Sequence, residues 1–407
     1  MTTHSPLHRR WFYLIIGVFT MLFSGVLYAW SILKVPFGEI FGWSSSALAY
    51  NFTLTMCFFC LGAFAGSLLA KRIGTRLTLL LAAALSGVGF ILTGCLTADK
   101  LFLLYIAYAI LGGSGIGITY NVVVSTVAAW FPDRKGFCSG CLMMGFGFST
   151  LLLGSGISSL FAIPAIGWSK TYILLGAVLA VVLTGAALLL KRPTPDTVLP
   201  SAKPGKTVQK ENFELRDYTT VEMLKSFTYL RAFVCLTFIT AVGNSVISYA
   251  RDLVLSVGAA PAVAAALVGI LAVFNGLGRI LTGAVYDAIG RRTTMIAANI
   301  LTIFAAGITL LAVIFHSLPL CIVGLCLTGL SYGSCPTVTS AFTASFYGQK
   351  YFPVNYSITN FNLIFAACIA AVSNTLYINT GSFTASFVLL LILAVAALGL
   401  NFSIRKP

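Results

Sequence analysis

Carboxylates are scarce in this chain, with 10 Asp and Glu against 25 Lys and Arg in 407 residues. Charged side chains of either sign make up 9%, where a soluble globular protein carries about a quarter. With 58% hydrophobic residues, that shortage excludes the soluble globular class and defines an integral membrane protein. The polar segments also lack a nucleophile, histidine and acid set, a metal-ligand cluster and a phosphate-binding loop. No enzyme activity, metal or cofactor is therefore expected, and ATP-driven pumping has no sequence support. The net charge of +15 does not point to nucleic acid, because the basic residues alternate with apolar runs instead of gathering on a polar domain.

What the chain has in abundance is continuous apolar sequence. Twelve spans are expected, near 11–33, 47–70, 77–97, 101–129, 137–161, 171–190, 229–250, 262–286, 293–316, 318–346, 351–377 and 384–404. Each reaches the ~20 residues that a transmembrane helix needs. Helices are favoured over a barrel because the runs are continuous and not alternating. With the N-terminus inside, the cytoplasmic side holds Arg9, Arg10, Lys71, Arg72, Arg76, Arg134, Lys135, the 191–228 linker, Arg231, Arg291, Arg292, Lys350, Arg405 and Lys406. The outer loops hold Lys34, Lys100, Lys170 and Arg251. That asymmetry predicts both termini in the cytoplasm and a place in the cytoplasmic membrane. The first apolar run has no small-residue cleavage pattern after it, so no cleavable signal peptide is expected. Cysteines paired as CxxC at 57/60 and 138/141 lie in apolar runs and read as small buried hydrophobes.

Arg279 interrupts the eighth run. It lies eight residues before Asp287, which at ~1.5 Å per residue places it roughly 12 Å inside the membrane edge. A guanidinium near the bilayer centre costs at least ~2.5 kcal/mol unless it meets a partner or a wet cavity. An arginine bonded to helix carbonyls or to a neighbouring carboxylate is one reading, but no other span offers Asp or Glu at that depth. The other reading is an anion site. Asn275, at i−4, shares the face of Arg279, and Gly276 and Gly278 narrow the helix there.

Internal repetition gives the architecture. Ser67 to Arg76 and Gly283 to Arg292 are basic turns 216 positions apart, and Gly117-Ile-Thr-Tyr120 matches Gly329-Leu-Ser-Tyr332 at 212. The expected fold is an all-α membrane protein of twelve transmembrane helices in two pseudosymmetric six-helix bundles, 1–190 and 229–407, joined by a cytoplasmic linker at 191–228. Twelve spans, the linker and Gly-x-x-x-Asp-x-x-Gly-Arg-Arg at 283–292 resemble the major facilitator superfamily. The first copy of that turn departs from the pattern, with Ser67 and Lys71 at the Gly and Asp positions, which weakens any charge latch there.

A closer resemblance is to the oxalate/formate antiporter and monocarboxylate transporter group. It rests on Arg-Trp-Phe-Tyr at 10–13, Tyr28-Ala-Trp30-Ser31, Trp130 to Gly136, Asn275-Gly-Leu-Gly-Arg279 and Asn355-Tyr356. The resemblance implies that Arg279 binds substrate carboxylate and that Tyr28 and Tyr120 line a cavity. Two departures bear on substrate. Leu363 stands where the oxalate exchangers of the group carry a second buried lysine, so one cation is left to balance a monoanion. Asn275 stands where animal proton-linked members carry Asp, so their proton route does not carry over.

Other expected liners are Asn121 beside Tyr120, Tyr332 at the mirrored position, Asn360 among the asparagines of the eleventh span, and Phe146 and Phe361 as an apolar wall. Asp252, at an outer span end, is the candidate proton carrier, while His316 reads as a helix end. The function expected is secondary transport of a lactate- or pyruvate-like monocarboxylate, by rocking of the bundles with proton symport. The expected partners are that anion, a proton and membrane lipid, for a monomer that does not bind nucleic acid. The rivals are a carboxylate exchanger of the oxalate/formate type and a non-transporting membrane sensor of carboxylates.

Overall fold

The computed structural model describes residues 6–194, 197, 199–200 and 216–404. The middle of the expected linker and the terminal Arg405 and Lys406 lie outside the described residues. Twelve described helices are long and apolar enough to cross a membrane: α1 Arg9–Ala29, α2 Ser46–Arg72, α3 Gly74–Gly94, α4 Leu101–Ala128, α5 Lys135–Ala162, α6 Gly167–Leu189, α7 Phe227–Ser256, α8 Ala266–Ile289, α9 Arg291–Ile314, α10 Leu318–Tyr347, α11 Phe352–Thr380 and α12 Thr384–Phe402. Large apolar side chains such as Phe19, Val181 and Phe304 are exposed on them, as suits helices whose outer surface meets lipid.

The repeat seen in the sequence recurs in the backbone. Gly74 between α2 and α3 has φ 83°, and Gly290 between α8 and α9 has φ 80°. Only glycine adopts that conformation without strain, so the chain reverses alike at both places. His316 ends α9 with φ 48°, a helix end as expected.

By packing, the chain divides into two units. The first contains the described residues up to Asp133 and those from Gly145 to the linker; the second contains Arg134–Met144 and the described residues after the linker. The boundary in the linker lies inside the expected 191–228, whereas the opening turns of α5 group with the second unit.

In the first unit, the 10–13 and 130–133 stretches dock on each other. Arg10 Nη1 donates to both carboxylate oxygens of Asp133, at 2.8 and 3.0 Å. Trp11 meets Phe131 edge-on at 5.4 Å, Tyr13 packs on Trp130 at 4.8 Å, and Trp130 Nε1 donates to the Lys191 carbonyl at 2.7 Å. The start of α1, the end of α4 and the start of the linker are thereby tied together. The C-terminal end of α1 tightens into a 3-10 segment, Gly25–Ala29, which carries Tyr28. An added Cβ at Gly25 would overlap the Phe146 carbonyl oxygen of α5, so glycine is what lets the two backbones meet.

In the second unit, α8 and α10 approach through Gly278, Gly329 and Gly333. A Cβ at Gly333 would overlap the Asn275 carbonyl oxygen and lie 3.1 Å from the Arg279 amide. Small residues give such contacts because helices in lipid associate by close packing, without a hydrophobic drive. Helix α11 is interrupted at Asn360 and Phe361, between Phe352–Thr359 and Asn362–Thr380. Asn355 just before the break is fully buried and ties to the linker, accepting from Thr220 Oγ1 at 2.9 Å and donating to the Tyr218 carbonyl at 3.1 Å.

Gly333→Ala is expected to force α8 and α10 apart at about 1–3 kcal/mol, lowering the melting temperature of the purified protein by several degrees. Gly399→Ala, whose added methyl meets open space, should leave it unchanged. Equal melting of the two variants would contradict this packing.

Candidate functional site

Arg279 is 4% exposed, in the middle of α8. Its Nε donates to Asn275 Oδ1 at 3.2 Å and its Nη1 donates to the Met143 carbonyl at 2.6 Å. The expected i−4 pairing with Asn275 is thus present, and Thr337 of α10 donates to the Arg279 carbonyl at 3.2 Å. Arg279 makes no ion pair among the described residues. Its partners are neutral oxygens, which orient a guanidinium but leave its charge in place. The Nη2 amine has no hydrogen-bond partner among the described residues and is not fully buried. What remains is a fixed positive fork with donors to spare, suited to a carboxylate.

The start of α5 is fastened along the same helix. Asp287 accepts the Gly136 and Phe137 amides at 2.9 and 2.7 Å, a carboxylate placed where the first turn of a helix presents unpaired N–H groups. Gly136 and Gly283 touch backbone to backbone, Gly140 lies against the Arg279 carbonyl, and Ser139 and Ser340 hydroxyls meet at 2.9 Å. Residue numbers rise on α5 as they fall on α8, so the contact runs antiparallel from the Asp287 carboxylate to the Arg279 guanidinium. In the first copy of the turn Lys71 replaces the acid and cannot accept such amides.

An aromatic cluster forms separately in the first unit. Phe146 of α5, 2% exposed, stands edge-on to Tyr28 at 5.3 Å and to Tyr120 at 5.1 Å, while Phe59 of α2 lies 5.1 Å from Tyr120 and 6.0 Å from Phe146. Three expected liners are therefore neighbours, with Tyr28 half-buried. Asn121 is fully buried beside them in sequence. In the second unit Tyr332 is buried with its ring against Gly243 of α7, Asn360 is buried at the α11 break, and Phe361 is half-buried. Asp252 is exposed near the end of α7, three residues past a kink at Tyr249, and makes no ion pair with Arg279 among the described residues.

Sequence reading missed Met143, because a backbone carbonyl leaves no signature in residue type. It also missed Phe59, one phenylalanine among 31. Thr337 carried a weak signal, a hydroxyl one residue after Pro336, the proline inside α10.

This arrangement is housed in a known family. Residues 12–249 match the Major Facilitator Superfamily, and residues 210–405 match the Sugar (and other) transporter family. The chain belongs to the Major Facilitator Superfamily and is a multi-pass membrane transporter. It is 29% identical over 371 residues to the oxalate:formate antiporter of Oxalobacter formigenes, covering 86% of this chain and 80% of that protein. It is also 29% identical over 187 residues to monocarboxylate transporter 12-B of Danio rerio, covering 45% and 38%. In fold it is similar to the proton:xylose symporter XylE, with a TM-score of 0.73 at 15% identity over 97% of this chain and 96% of that one.

Asn275→Asp would set a carboxylate where the amide oxygen now meets Nε. That carboxylate neutralises the guanidinium. Anion binding is therefore expected to fall at least ~10-fold at both pH 5 and pH 8. Asn275→Ala, which removes the bond without adding charge, should lose less. Thermal-shift titrations with lactate at both pH values check this; affinity unchanged in Asn275→Asp would show that Arg279 is not the anion's partner.

Proposed function

We propose that this protein is a secondary transporter of a small monocarboxylate anion, working by alternating access. The observation that supports it is the buried Arg279, held by Asn275 and a carbonyl, with no carboxylate on it among the described residues. A ligand carboxylate supplies the missing charge and takes the free donors. Asn275, already bonded to Nε, and Tyr332 of the same unit are the polar groups we assign to its second oxygen or a 2-hydroxyl. Leu363, in place of a second cation, favours a monoanion over a dianion. The basic loops support a place in the cytoplasmic membrane with both termini inside.

The coupling we propose is proton symport, with the exposed Asp252 as carrier. Similarity to an oxalate:formate antiporter favours a second reading, exchange of one carboxylate for another. Uptake of labelled lactate into proteoliposomes separates the two. Symport requires that an acid-outside gradient drive uptake and that Asp252→Asn abolish that drive. Uptake that ignores the gradient and needs internal carboxylate establishes exchange instead. In either case Arg279→Gln is expected to reduce uptake roughly 100-fold, the scale of losing one partner of a buried charge pair. Uptake by that variant at the wild-type rate would end the carboxylate reading.

A further inference from the structure

A second cationic feature lies far from Arg279 in the sequence, at the ends of three helices of the first unit. A cavity of about 350 Å³ opens there, lined by Thr75 and Arg76 at the start of α3 and by Leu188, Leu190, Lys191 and Arg192 around the end of α6. Arg192 donates to Ser125 Oγ of α4 at 3.3 Å, and its charge is near enough to act on Lys71 at the end of α2. Arg76, Lys191 and Arg192 form no ion pair among the described residues. Protein atoms around Arg192 draw its pKa below the usual arginine value by desolvation. Like charges gathered in this way repel each other, and an anion with several oxygen acceptors relieves the repulsion.

The depth of the cavity points to the source of that anion. It sits where the apolar stretches of α3 and α6 stop, at Gly74 and Leu189, which is the level of lipid headgroups. Leu188 both lines the cavity and is 50% exposed, and Leu77 and Leu81, one turn apart on α3, are exposed beside it. Basic pockets between helix ends are suited to anionic headgroups, and apolar side chains leading away from them to acyl tails. We propose that this cavity binds the phosphate headgroup of an anionic phospholipid, whose acyl chains lie along the exposed leucines of α3 and α6. Free inorganic phosphate shares the headgroup chemistry but not the tails.

The test uses the full-length protein purified in detergent, with phosphatidylglycerol, phosphatidylcholine or inorganic phosphate added at matched phosphate concentration. Arg76 and Lys191 are exposed, so the double variant R76Q/K191Q should fold, and exposed Lys100→Gln serves as a control for a cation lost elsewhere. Phosphatidylglycerol is expected to raise the melting temperature of the wild type and K100Q well above the phosphatidylcholine value, with at least half of that shift lost in R76Q/K191Q. Native mass spectrometry gives a readout independent of stability, in which the wild type keeps bound phosphatidylglycerol through delipidation and the double variant sheds it. Equal shifts by the two lipids, or retention unchanged in R76Q/K191Q, would overturn the proposal. A shift by inorganic phosphate alone, with no further gain from phosphatidylglycerol, would overturn the lipid assignment in favour of a soluble anion.

Discussion

A guanidinium fixed inside α8 by neutral oxygens is the interaction on which this structure turns. Placing that charge in hydrocarbon costs at least ~2.5 kcal/mol, and hydrogen bonds from a charged donor return about 1.5–3 kcal/mol each. Bonds to Asn275 and to the Met143 carbonyl can therefore hold Arg279 in place without cancelling its charge. Arg10, by contrast, ends in the Asp133 carboxylate, so of these two buried arginines Arg279 is the one whose charge has no carboxylate on it among the described residues.

The Met143 carbonyl ties Arg279 of α8 to α5. Its bond from Nη1 continues a contact that begins with Asp287 on the first amides of α5 and passes through Gly136, Gly283 and Gly140. The glycine steps depend on the absence of a side chain and the first on a charge at a helix start, so the two backbones touch from Gly136 to Gly140. The first copy of the signature turn, with Lys71 for the acid, has no equivalent acceptor, so the two halves of the repeat share a fold but not this fastening.

The parts of the structure legible in sequence are those that residue type alone decides. Continuous apolar runs gave the helices, because hydrocarbon leaves no alternative partner for the backbone. Gly74 and Gly290 marked the reversals, since their φ values exclude other residues. Arg279 stood out because its environment makes it costly, and Asn275 followed from helical spacing. Backbone partners and tertiary neighbours were not legible. The 3-10 turn under Tyr28, the break in α11 at Asn360, and the docking of Arg10 on Asp133 depend on which helices meet. Asn355, Asn360 and Asn362 of α11 looked alike in sequence, yet Asn355 proved to be tied to the linker.

The central claim is that the charge of the ligand, and not its shape, is what Arg279 recognises. Binding of lactate and of its neutral isostere lactamide to the purified protein, followed by titration calorimetry, tests this most directly. Lactate is expected to bind at least ~100-fold more tightly to the wild type, with the preference gone in Arg279→Gln. Equal binding of the two ligands by the wild type, or a preference for lactate that survives in the variant, would contradict the account.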